Sequence, residues 1–141
     1  MITDREIARN IHIVGGPAIS HSADCLVYVI AEYNGQAALI DSGAGPGFPR
    51  IQEELVKVGT SSVERLLTTH AHIDHIGAHA IAKKAYNCII TAHETARPIL
   101  ETGDRIRSAA DLYGLPLEPC KVPFLLSLIP YYRRVILYCY C

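Results

Sequence analysis

Apolar residues in this chain come in short blocks separated by turn-forming residues. Residues 25–31, CLVYVIA, and 37–41, AALID, flank Asn34-Gly35. That dipeptide between β-branched runs predicts an antiparallel hairpin. An earlier strand is expected over 11–14, IHIV, closed by Gly15-Gly16-Pro17. After Asp41 the stretch SGAGPGFP can only be a loop. The apolar period then lengthens: Ile51, Leu55 and Val58 recur at helical spacing from about Arg50, and Gly59 supplies a stop. Residues 63–68, VERLLT, read as a buried strand. From Ile76 the positions Ala80, Ile81, Ala82 and Ala85 predict a second helix, and 88–91, CIIT, another strand. Residues 93–100 and 102–113 read as helices, parted at Gly103 and closed by Gly114. Strands and helices in repeated order indicate an α/β architecture, a sheet covered by helices. The hairpin makes that sheet mixed rather than purely parallel.

The last stretch breaks this pattern. VPFLLSLIPYYRRVILYCYC, residues 122–141, has no acidic residue and holds four of the eight tyrosines. Pro130 and the pair Arg133-Arg134 interrupt it short of the roughly 18–20 apolar residues that span a bilayer, so no membrane span is expected. VILYCYC reads as an aromatic, β-branched strand prone to aggregation if left uncovered. The chain therefore divides into residues 1–121 and an atypical, tyrosine-rich tail, 122–141.

Composition narrows the function. A length of 141 residues is that of one domain. Thirteen basic against fourteen acidic residues, net −1, leave no basic surface for nucleic acid, so a small-molecule substrate is expected. The N-terminus carries Asp4, Arg5, Glu6 and Arg9 and no apolar run, which is unlike a signal peptide and favours the cytoplasm. The five cysteines are odd in number and lack C-x-x-C pairing, so each reads as a reduced, small buried hydrophobe.

Chemistry concentrates in His70-Ala71-His72-Ile73-Asp74-His75, between a predicted strand and a helix. Residues two apart in extended backbone project to one side, so His70 and His72 can grip one ion. Asp74 and His75, where the chain turns into the helix, can face a second. Imidazole with carboxylate suits zinc, and also iron or manganese. A bound divalent ion lowers the pKa of its water from near 16 to about 7, which is the chemistry of hydrolysis. His12, His21, His79 and His93 fall outside the pattern and read as helix-face or capping residues, though the polar loop SHSAD that holds His21 can border a site.

Three segments carry a resemblance: the hairpin leading to ALIDSGAG (38–45), the helix followed by LLTTHAHIDHIGA (66–78), and CIITAHE (88–94). Over about residues 10–120 the chain resembles the metallo-β-lactamase-fold hydrolases, the superfamily that includes glyoxalase II-like thioester hydrolases. The resemblance implies an αββα sandwich of two similar halves, of which this chain supplies the first. It implies that His70 and His72 bind one metal and that Asp74 and His75 serve a second, with Asp74 also orienting or deprotonating the attacking water. Asp41 is implied to support the histidine loop from behind without touching metal, while Gly43 and Gly45 permit a tight loop. The implied reaction is attack of a metal-bound hydroxide, with zinc as the cofactor, on an ester, thioester or related bond. Some relatives instead hold iron and perform redox chemistry.

The family pattern then requires a further histidine, a bridging aspartate and a final histidine. The last histidine here is His93 and the last acidic residue Glu118. The metal site is thus expected to be incomplete and its metal binding weak. A half sandwich also leaves one sheet face to be covered by the tail, by a second copy in a homodimer, or by a separately encoded second half. A truncation or frameshift near Pro123 would explain the tail, and a non-catalytic remnant or interaction module is the competing function.

Overall fold

The computed structural model describes residues 5–126. The chain forms strands β1 (Glu6–Ala8), β2 (Ile11–Gly15), β3 (Val27–Ala31) and β4 (Gln36–Ile40), then helix α1 (Phe48–Lys57) and strand β5 (Ser62–Leu67). Helices α2 (Ile73–Ile76) and α3 (His79–Tyr86) lead to β6 (Ile89–His93), and α4 (Arg97–Thr102) and α5 (Ala110–Tyr113) lead to β7 (Phe124–Leu126).

The seven strands form one sheet in sequence order, β1 to β7. Neighbours from β1 to β4 are antiparallel and those from β4 to β7 parallel, so the sheet is mixed. The change of direction follows from the connections: Asn34-Gly35 is a tight turn, whereas parallel neighbours need a crossover, which the helices provide. The expected hairpin is present, with Val29 opposite Leu39.

Alternation along the strands sets the core. Val27, Val29, Ala37, Leu39, Val63, Leu66 and Ile90 are buried on one face, where they cluster with Phe48, Ile51 and Leu55 of α1 and with Ile73 and Ile76 of α2. On the other face Tyr28, Ala38 and Ile40 are half-buried and Ile30 is exposed. The described chain is thus one sheet with one packed layer of helices, one half of an αββα arrangement. No helix among the described residues is long and apolar enough to cross a membrane.

Three expectations shift. Helix α1 begins at Phe48, two residues before Arg50, because Pro49 in its first turn needs no backbone partner there. Residues 93–96 are not helical: His93 ends β6, its carbonyl accepts the Ala96 N–H, and α4 starts only at Arg97 with Pro98 in its first turn. The helix expected over 102–113 shrinks to α5, because the Asp104 carboxylate takes the N–H groups of Ile106 and Arg107, a local bond that competes with helix. Strand β7 lies inside the segment set apart by composition and pairs in parallel with β6 through Thr91 and Phe124. The VILYCYC strand falls outside the described residues.

Candidate metal centre

The site is built where β4 and β5, parallel neighbours, end side by side. Asp41 follows β4 directly and adopts φ +60°, a left-handed conformation that aspartate tolerates better than most side chains. From there its carboxylate reaches across to the loop after β5. Oδ1 accepts the Thr69 N–H at 2.9 Å, and Oδ2 accepts the Thr69 hydroxyl. Oδ2 also lies 2.7 Å from His75 Nδ1. With Nδ1–H committed to Asp41, the imidazole presents Nε2 to the Asp74 carboxylate, 3.3 Å away. An aspartate fixing the far nitrogen of a histidine is how metal-binding imidazoles are held in one orientation.

The other histidines crowd the same spot. His70 and His75 have ring centroids 3.8 Å apart, and His70 and His72 4.8 Å apart in an edge-on arrangement. His72 is still extended and forms the N-terminal boundary of α2, whose four residues carry Asp74 and His75. All four residues expected to bind metal are therefore brought together, with Asp41 behind them. His70 and His72 border a cleft of about 300 Å³ that is also lined by Thr69, His93, Ile99 and Arg107.

The electrostatics follow from this crowding. Burial, with His75 and His72 beside it, pushes the His70 imidazole down, which favours the neutral form that ligates metal. Burial works against charge on His75 too, but its bonds to Asp41, Asp74 and Cys25 outweigh that and raise it well above its ordinary value. Burial pushes the Asp74 carboxyl up, and the bond and charge of His75 reverse the direction, leaving it below the usual carboxylate range.

Behind the site a loop is held at very close quarters. The buried Asp24 carboxylate accepts the Ala44 N–H at 2.7 Å and the Ser20 hydroxyl. A side chain at Gly77 would place its Cβ 2.1 Å from the Ala44 carbonyl oxygen. The 42–47 loop and the end of α2 can therefore touch only because residue 77 has no side chain. Gly43, at φ +79°, provides the turn beneath. His21 lies against Gly47 at the loop's rim, with Nδ1 accepting the Ala23 N–H.

Other histidines resolve individually. His79, the first residue of α3, is fully buried, and its two nitrogens lie 2.7 Å from Ser42 Oγ and 2.8 Å from Thr68 Oγ1. Ser42 gives its proton to the His75 carbonyl, so it accepts from His79 Nδ1–H, and Thr68 donates to Nε2. His93 closes a turn through Thr95 while facing the cleft.

Two contributors escaped the sequence. Cys25 is half-buried, and its sulfur, an Asp41 oxygen and a His75 nitrogen lie within 4.8 Å of one another. Arg107 enters the cleft from the turn before α5. Both stand more than thirty residues from the histidine motif, and neither has a spacing signature that marks it.

Comparison with known proteins bears on the family and the fold. The metallo-beta-lactamase superfamily model matches residues 23–135. A probable metallo-hydrolase of Methanocaldococcus jannaschii is 31% identical over 83 residues, covering 59% of this chain and 40% of that protein. Among solved structures, a subclass B3 metallo-beta-lactamase of Bradyrhizobium japonicum superposes with a TM-score of 0.69 at 28% identity, over 84% of this chain and 42% of that one. A metallo-beta-lactamase from Novosphingobium pentaromativorans gives 0.66 at 29% identity, over 83% and 41%. The chain thus spans about 40% of the length of these relatives. With its family model matched across most of its length and its fold shared with those enzymes, the chain belongs to the metallo-beta-lactamase superfamily.

Proposed function

We propose that the chain is a metal-dependent hydrolase, with zinc as its metal, acting in the cytoplasm on an ester, thioester or related bond of a small molecule. The crowding of His70, His72 and His75 in ring contact, with Asp74 beside His75, Asp41 fixing His75, and His70 and His72 facing the cleft, carries this reading. Imidazoles and a carboxylate fit a borderline divalent ion. When bound, such an ion supplies Lewis acidity and makes water ionise near neutral pH.

The chain's own groups do the rest. His70 and His72 hold the ion on the cleft side, and His75, oriented by Asp41, offers Nε2 beside Asp74. The Asp74 carboxylate, charged at neutral pH, orients the attacking water and takes its proton. Ile99 and Ala96 form an apolar wall, and Arg107 brings a positive charge to the mouth of the cleft.

Four donors are fewer than two catalytic ions require, since a catalytic zinc usually has three protein ligands. A second copy of the chain or a complementing second half completes the active form. Calorimetric titration with zinc is expected to show weak, substoichiometric binding that is reduced in the His70→Ala, His72→Ala double variant. Ester and thioester hydrolysis with added zinc or manganese, followed alongside light scattering, is expected only from the assembled form and not from Asp74→Asn. Tight binding of two ions by the monomer overturns the incomplete site. Hydrolysis that survives chelation or Asp74→Asn overturns the mechanism, and an assembled, metal-loaded form without hydrolysis favours a non-catalytic interaction module.

A further inference from the structure

Cys25 differs from the other described cysteines. Cys88 and Cys120 are buried in the core, 1% and 8% exposed, whereas Cys25 is half-buried and packs against its edge, in the segment leading into β3. It is also tied to the histidine motif: its N–H donates to the Asp74 carbonyl at 3.2 Å. That bond holds residue 25 beside the short helix carrying Asp74 and His75, fifty positions away in sequence. The thiol lies against the His75 imidazole and within reach of the Asp41 and Asp74 charges. One sulfur, one oxygen and one nitrogen of Cys25, Asp41 and His75 thus occupy a sphere less than 5 Å across.

Asp41 is already spent on Thr69 and on His75 Nδ1, so its role is to orient rather than to ligate. Asp74, 3.3 Å from His75 Nε2, is the nearest carboxylate left to meet an ion there. We propose that Cys25 is a metal ligand, and that an ion at the His75 side of the centre takes Cys25 Sγ together with His75. This inference rests on the metal-centre reading above and adds to it a donor from the N-terminal part of the chain.

The chemistry is coherent. Four-coordinate zinc, with Zn–S near 2.3 Å and Zn–N and Zn–O near 2.0–2.1 Å, sets its ligands about 3.3–3.6 Å apart. Coordination removes the thiol proton outright, and the proton leaves to solvent. A thiolate also shifts preference from manganese toward zinc and cobalt.

Cobalt(II) provides the test, because its visible d–d bands report binding and a near-ultraviolet charge-transfer band reports a sulfur ligand. Full-length chain with Cys139→Ser and Cys141→Ser is titrated with cobalt, alone and with Cys25→Ser, Cys88→Ser or Cys120→Ser added. The expected result is both kinds of band in the parent, loss of the charge-transfer band in Cys25→Ser alone, and its survival in the other two. In parallel, zinc is expected to slow iodoacetamide labelling of Cys25 in the unmutated chain, read by peptide mass, so that a misfolded variant does not decide the question. Bound cobalt without a charge-transfer band, a band that persists in Cys25→Ser, or labelling of Cys25 indifferent to zinc overturns the proposal. Absence of any cobalt binding overturns the metal centre itself.

Discussion

His79 shows what one buried imidazole can do without touching a metal. Burial, reinforced by His75 and only partly opposed by Asp41, pushes it down to about 4. Its two hydrogen bonds tie Ser42, after β4, to Thr68, after β5, and so hold together the two segments that carry Asp41 and the histidine motif. The sign of the pH effect is fixed by that shift. The unfolded chain takes up a proton near 6.5 and the folded one near 4, so the stability contributed is full above about pH 6.5 and is lost as the pH falls toward 4. His79→Gln is expected to lower stability at pH 7 by about 1–3 kcal/mol and to flatten the loss between pH 6.5 and 4. Urea denaturation at pH 7 and pH 5 measures both. At this scale the histidine motif was legible, because four ligand-type side chains in six positions leave few other uses. The inward turn of His79 was not, because a histidine at a helix start looks the same in sequence whether it faces solvent or a pair of hydroxyls. Cys25 was read as a small hydrophobe, since only the folded chain brings it to His75.

At the scale of elements, the approach of the 42–47 loop to α2 is the tightest contact near the site. The Gly77 backbone is in an ordinary helical conformation, so its requirement is space rather than an unusual φ. Gly77→Ala is expected to push the Ala44 carbonyl away, destabilise the fold by about 1–3 kcal/mol and weaken zinc binding. Thermal melting and zinc calorimetry on the same variant check it. An unchanged affinity would show that the loop does not position the ligands. Strands β2 to β6 could be read from blocks of apolar residues because each is bounded by glycine, proline or asparagine. Strands β1 and β7 are three residues each, too short to show an alternation. The helix over 102–113 was overread because apolar period alone does not register the Asp104 carboxylate, which spends two N–H groups locally.

For the molecule as a whole, the family and the half-sandwich were recoverable from three short segments, since loops and helices between them only have to reach from strand to strand. Coverage of the second sheet face was not, because nothing in the described chain specifies what packs on Tyr28, Ile30 and Ile40. Metal binding is expected to couple to folding here, because the ligands come from β4–β5 loops, α2 and the approach to β3, and an unfolded chain cannot present them together. Zinc at about 100 times its dissociation constant adds about 2.7 kcal/mol of stability. The melting temperature is therefore expected to rise with zinc and to fall back on chelation, while the His70→Ala, His72→Ala variant shows a much smaller rise. Equal shifts in both would place the bound ion elsewhere.

The change from antiparallel to parallel pairing at β4 also sets an order of events. Strands β1 to β4 meet through short connections, whereas β5 can join β4 only after the twenty-odd residues of the loop and α1 have been closed. Contacts between distant positions form more slowly than local ones. Asp41 stands on the early side of that seam and Thr69, His70, His72 and His75 on the late side. A nascent chain therefore acquires its β-meander first and its capacity to capture an ion last, so the cation meets a scaffold already committed to its fold rather than a loose chain of histidines.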